Sequence, residues 1–145
     1  MRFKNTTVAI VSSPLQLIST GEYIFQNKIK NYLIIILFYS KKELVQINEI
    51  NKIYDLTLKT QLKGYPIIQY LKLYFLSQKI KNCKNLLMGN FFSDPHLFFS
   101  NLISKQKTVV VDDGMIVSSI PDFIGSNKKI TKTSFIKKIF NKKFF

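Results

Sequence analysis

TVAIVSSPLQLISTGEYIF, Thr7 to Phe25, is the stretch on which the fold turns. Thr7 to Val11 is a short β-branched run without polar alternation, the pattern of a strand buried on both faces. Ser12, Ser13 and Pro14 end it in a tight turn. Beyond the turn, Leu17, Ile18, Gly21, Ile24 and Phe25 recur at helical spacing on one face. A buried strand therefore passes directly into a helix, which is the opening unit of an α/β fold.

The same alternation continues outward from this unit. Tyr32 to Phe38 (YLIIILF) reads as a second buried strand, because its apolar run is far shorter than the ~20 residues of a membrane-spanning helix. Lys41 to Glu49, with Leu44, Val45 and Ile47 among polar residues, reads as a covering helix, and Lys52 to Leu56 as a short third strand. Pro66 suits the first turn of a helix whose apolar stripe is Ile67, Ile68, Leu71, Tyr74 and Phe75. Asn85 to Met88 is strand four, stopped by Gly89. Asp94 and Pro95 form an N-cap and first-turn pair that opens a helix toward Ser104, and Lys107 to Val111 is strand five. About five buried strands alternating with helices predict a doubly wound, Rossmann-like parallel sheet, since right-handed crossovers leave few other arrangements.

Bulk properties set the remaining bounds. At 145 residues the chain suits one domain with a real core, and a hydrophobic fraction of 46% is enough to offset chain entropy. The single cysteine, Cys83, has no partner for an internal disulfide and belongs to no metal-ligand cluster, which points to an inert thiol in the cytoplasm. Met1 to Val11 has basic Arg2 and Lys4 but too short an apolar stretch for a signal peptide. The net charge is +14, and half of it sits between Lys128 and Phe145, which hold seven lysines and no acid. Residues 1–125 are expected to form the globular domain and residues 126–145 a basic amphipathic tail, with Phe135, Ile136, Ile139 and Phe140 on one helical face. Phenylalanines between lysines favour a lipid surface or another domain over bare solvent. Nothing else in the sequence accompanies a nucleic-acid arm, so no nucleic-acid partner is expected.

Chemistry is concentrated where strands end. In such sheets ligands bind beyond the carboxyl ends of the strands, and three segments reach that edge: Ser12 to Gln16, Gly89 with Asn90, and Asp112 to Gly114. In VVVDDG (Val109 to Gly114) apolar strand residues hold two carboxylates at the edge, and Gly114 lets the backbone turn sharply. Adjacent carboxylates repel, which raises the pKa of one and makes it a better proton acceptor; an acidic pair that only starts a loop is the competing reading. There is no Walker A sequence and no G-x-G-x-x-G, so nucleotide triphosphatases and dinucleotide enzymes have no support. His96, in the first turn of the fourth helix, reads as an ordinary, partly exposed helical residue distant from the three edge segments.

Taken in order, Ser-Pro-Leu-Gln after strand one, Met88-Gly89-Asn90 and Val111-Asp112-Asp113-Gly114 resemble the bacterial lipooligosaccharide sialyltransferases and related capsular polysialyltransferases of glycosyltransferase family 52 type. The resemblance covers roughly residues 5 to 118 and implies the amino-terminal domain of a two-domain GT-B enzyme. It implies inverting transfer of sialic acid from CMP-sialic acid, with no further cofactor and no metal, to a cell-surface glycan. The family's general base falls on Asp113, with Asp112 orienting it, and Ser13, Pro14, Gln16, Gly89, Asn90 and Gly114 line the acceptor side. The family's His-Pro motif, which assists the departing CMP phosphate from the carboxy-terminal domain, has no counterpart in these 145 residues. The nucleotide-binding half is therefore expected to be supplied by a longer chain or by a separate polypeptide, a homodimer is the other assembly expected, and the chain alone is expected to be inactive. A cytoplasmic enzyme of this kind works at the inner membrane face. A non-catalytic binding or signalling module is the alternative reading, as is an inactive truncated gene product. A receiver domain is disfavoured, because its acidic pair follows strand one, where this chain has Ser-Ser-Pro.

Overall fold

The computed structural model describes residues 3–56, 58–63 and 66–111. Strands and helices alternate as β1 (Thr7–Val11), α1 (Pro14–Gln26), β2 (Tyr32–Phe38), α2 (Lys41–Tyr54), β3 (Leu58–Lys63), α3 (Pro66–Ile80), β4 (Asn82–Met88), α4 (Asp94–Leu102) and β5 (Ser104–Val110). The strands form one all-parallel sheet in the order β3-β2-β1-β4-β5. This is the doubly wound, Rossmann-like α/β fold expected from the sequence.

Every residue of β1 is buried because the strand lies in the middle of the sheet and both of its faces are covered. Val8 and Ile10 point into a core shared with Tyr70 and Leu73 of α3 and with Phe98 and Phe99 of α4. Ala9 and Val11 point the other way, against Leu17 and Ile24 of α1 and Ile47 of α2. The period-two alternation of a strand thus feeds two cores from one apolar run, and for this reason the run carries no polar alternation. Polar residues mark the ends of the helices. Ser40 caps α2 through a capping box in which its Oγ accepts from Glu43 N at 3.2 Å and Glu43 Oε2 accepts from Ser40 N at 3.2 Å.

Several boundaries differ from the sequence reading. Lys52–Tyr54 extend α2 instead of forming strand three, because Ile47, Ile50 and Tyr54 keep helical spacing against the α1 side. The helix ends only at Asp55, whose φ of 47° is left-handed. The third strand is Leu58–Lys63 (LKTQLK), an edge strand whose polar alternation hid it among loop-like residues. Strands β4 and β5 each begin three residues earlier than expected, at Asn82 and Ser104, and α4 stops at Leu102. Ser93 takes the N-cap position, and Asp94 is already helical.

The largest difference concerns α3. Its predicted stripe, Ile67, Ile68, Leu71, Tyr74 and Phe75, faces outward, with relative exposures of 38% to 62%. The core instead receives Gln69, Tyr70, Leu73, Ser77 and Ile80. Apolar residues lie nearly all round this helix, so periodicity could not choose between its faces. Packing chose the face on which Tyr70 meets Phe98 of α4 edge-on at 4.9 Å. Phe25, assigned to the buried face of α1, is likewise 84% exposed.

The orientation of α3 makes a direct prediction about stability. Leu73→Ala removes a fully buried side chain and is expected to destabilise the domain by roughly 2–5 kcal/mol. Leu71→Ala, on the outer face, is expected to cost no more than about 0.5 kcal/mol. Denaturant titration of the two variants decides the matter, and equal losses would contradict this orientation.

Candidate functional site at the carboxyl edge of the sheet

Strand order reverses at β1: the chain moves outward through β2 and β3, then returns to place β4 on the other side of β1. The crevice above the carboxyl ends of β1 and β4 is therefore the topological switch point, where open α/β sheets bind their ligands. Backbone hydrogen bonds tie the strand ends together there. Gly89 N donates to Ile10 O at 2.9 Å, and Val111 N donates to Met88 O at 2.9 Å. Val111 is the last residue described, so the candidate acids Asp112 and Asp113, Gly114 and the tail lie outside the described residues.

The Ser-Pro-Leu-Gln segment is built as a helix entry. Ser13, in extended conformation, caps α1 by accepting from Gln16 N at 3.2 Å, and Pro14 occupies the first turn, where no backbone donor is needed. Gln16 then folds back on the turn. Its Oε1 accepts from Ser12 N at 2.8 Å and from Ser12 Oγ at 3.2 Å, and the residue is only 2% exposed. Gly89 lies against this amide: a Cβ there would sit 2.3 Å from Gln16 Oε1 and 2.8 Å from its Cδ. Two motifs far apart in sequence are thus in contact, and the glycine is required by close approach. Gln16 acts as a buried clamp that fixes the loop, while Ser13 and Pro14 remain partly accessible.

Asn90 organises the loop after β4. Its Oδ1 accepts from Phe92 N at 2.8 Å, and its own N–H donates to Nδ1 of His96 at 3.1 Å. His96 was expected to be partly exposed and distant from these segments, and the structure corrects both points: it is 0% exposed and bonded to Asn90. The reason is that the Gly89–Ser93 loop is short and doubles back over the first turn of α4, so the imidazole closes it from below. With Nδ1 accepting, the proton of the neutral ring is on Nε2, which has no hydrogen-bond partner among the described residues. Burial lowers the pKa of His96 to about 3, so it is neutral at physiological pH. The signal in the sequence was the six-residue reach from Asn90 to His96 across a turn, which neither residue announces alone.

The other conspicuous side chain, Cys83, is buried in the α3/α4 core, and burial pushes its thiol up to about 11. It is protonated and unreactive at neutral pH. Among the described residues, no group of three or more histidines, cysteines and acids is placed to hold a metal ion. The edge therefore offers a rigid polar platform of backbone turns, hydroxyls and amides, with the carboxylates of Asp112 and Asp113 next in the chain.

Two measurements test this geometry. Gly89→Ala is expected to cost roughly 1–3 kcal/mol by forcing the Gln16 amide out of its place. Pairing it with Gln16→Ser should make the two losses clearly non-additive, because the clash needs both side chains. The second measurement is pH dependence. Above the ordinary histidine pKa of 6.5, His96 is neutral in both folded and unfolded chains and contributes no slope. Between 6.5 and about 3 only the unfolded chain takes up the proton, so stability falls with acidification, by at most about 1.4 kcal/mol per pH unit. Denaturation midpoints measured from pH 7 to pH 4 should show this fall and should show it diminished in His96→Gln.

Compared with protein-family models, with curated proteins and with solved structures, the chain matches none.

Proposed function

We propose that this chain is the acceptor-side domain of a sialyltransferase-like glycosyltransferase, which passes sialic acid from CMP-sialic acid to a hydroxyl of a cell-surface glycan. The observation that carries the reading is the contact between Gln16 of the Ser-Pro-Leu-Gln segment and Gly89 of Met-Gly-Asn at the switch point of the sheet. These are the segments through which the sequence resembles the sialyltransferases, and their packing against each other brings them to one place at the carboxyl edge. The third segment follows directly from β5, whose end is bonded to β4 beside the same crevice.

In this proposal Asp113 removes the proton of the acceptor hydroxyl as that oxygen attacks the anomeric carbon and CMP departs. Asp112 orients Asp113 or accepts a sugar hydroxyl. A carboxylate suits this task when it is within hydrogen-bond reach of the hydroxyl, and repulsion from a neighbouring carboxylate raises its proton affinity. Ser13 and Asn90 contribute polar groups to the acceptor side, while Gln16 and the buried His96 hold the loops that carry them. The leaving phosphate needs stabilisation as well, and the proposal assigns that to a donor-binding domain bearing the His-Pro motif.

The test is transfer from CMP-sialic acid to a lipooligosaccharide-type acceptor. The purified 145-residue chain is expected to give none, whereas the chain joined to such a donor-binding domain is expected to turn over. In the joined enzyme, Asp113→Asn should lower the rate by about 10²-fold or more while the shape is kept. An undiminished rate would move the base elsewhere. Turnover by the chain alone would overturn the division of labour.

A further inference from the structure

We propose that the outer face of α3 is a membrane-docking surface that seats on an anionic phospholipid bilayer. The inference stands on α3 and its surroundings and is independent of the glycosyltransferase reading.

The helix has two apolar faces. Placed at ~100° per residue, Ile67, Ile68, Leu71, Tyr74 and Phe75 cover an arc of about 120°, opposite the arc through Tyr70, Leu73 and Ile80 that enters the core. A helix apolar all round is ordinarily enclosed on all sides. Here the second face is open, and Phe75, at 62%, is its most exposed member. Tyr74 and Phe75 meet edge-on, with ring centroids 5.8 Å apart, so the patch is aromatic toward the carboxyl end of the helix. The surface is a convex helix rather than a groove, a shape suited to partial immersion in the acyl boundary of a bilayer.

The charge around the patch selects its occupant. α3 carries Lys72 and Lys79 and no acid. Of the five acidic residues described, Glu22, Glu43, Glu49 and Asp55 belong to α1 and α2 on the opposite layer, and Asp94 opens α4, where it has a partner of its own. At the carboxyl end of α3, Lys4, Lys79 and Lys81 line an open cleft of about 410 Å³, a place for a phosphate headgroup. A second copy on the same face would set these lysines against their own images. The lysine-rich segment from Lys128 to Phe145 would meet the same repulsion. An anionic lipid surface offers negative charge to the lysines and hydrocarbon to the stripe at once.

The chain contains no tryptophan, so one introduced there reports on its own position. The full chain carrying Phe75→Trp is mixed with vesicles of phosphatidylcholine alone or with phosphatidylglycerol added, and Phe25→Trp on the exposed side of α1 serves as the control. The expected result is a blue shift for Phe75→Trp with phosphatidylglycerol only, reversed by salt, and none for Phe25→Trp. In co-sedimentation, Leu71→Ser combined with Phe75→Ser should weaken binding to the anionic vesicles by roughly tenfold or more, while the melting of these surface variants stays near that of the parent. Vesicle binding without a shift at Phe75→Trp would assign binding to the tail and overturn the proposal. So would an equal shift with neutral vesicles, or a shift that follows protein concentration without lipid, which would mark self-association.

Discussion

A strand enclosed on all sides leaves its backbone no access to water, so each of its peptide groups must find a partner within the protein. In β1 this is met by parallel pairing with β2 on one edge and β4 on the other. The side chains are met by two separate cores, one under α3 and α4 and one under α1 and α2. The rest of the architecture follows from that enclosure. Parallel neighbours require crossovers, the crossovers are helices, and covering both faces requires the chain to reverse direction at β1. The reversal leaves a crevice at the carboxyl edge, so the candidate site is a by-product of how the central strand is buried.

The floor of that crevice is rigid for reasons that can be named. The Gln16 carboxamide holds the turn after β1 and fills the space that Gly89 vacates, so the turns after β1 and β4 are packed as one unit. His96 does the same for the next loop through Asn90. Its Nε2–H is buried and has no partner among the described residues, a cost that the short loop imposes on the fold. The turns after β1 and β4 are held by these bonds, and loops held in advance limit the ordering entropy that binding must overcome.

The α3 helix shows the other side of the same economy. It is the crossover from edge strand β3 to β4, and it must cover β1 and β2 on the way. Only one of its faces can do so. The sequence supplies a second apolar face that the described fold leaves uncovered. Among the described residues four of the five acids lie with α1 and α2, and only Asp94, at the start of α4, is on the side of α3. Among the described residues no helix is long and apolar enough to cross a membrane.

The sequence by itself determined the elements that are enclosed on both faces. TVAIV and YLIIILF read as strands because short apolar runs rich in β-branched residues, without polar alternation, suit a sheet covered on both faces. It also determined the alternation, the polar turn after β1 and the glycine after β4, since caps and turns depend on local chemistry. It did not determine β3, an edge strand in which Leu58 and Leu62 are the only apolar residues among Lys59, Thr60, Gln61 and Lys63. Nor did it determine which face of α3 is inside, or that His96 is buried beneath Asn90. Tertiary structure decided those points, because periodicity identifies an apolar face but not its partner. The choice between two apolar faces, like the pairing of Gln16 with Gly89, is made only when distant segments meet.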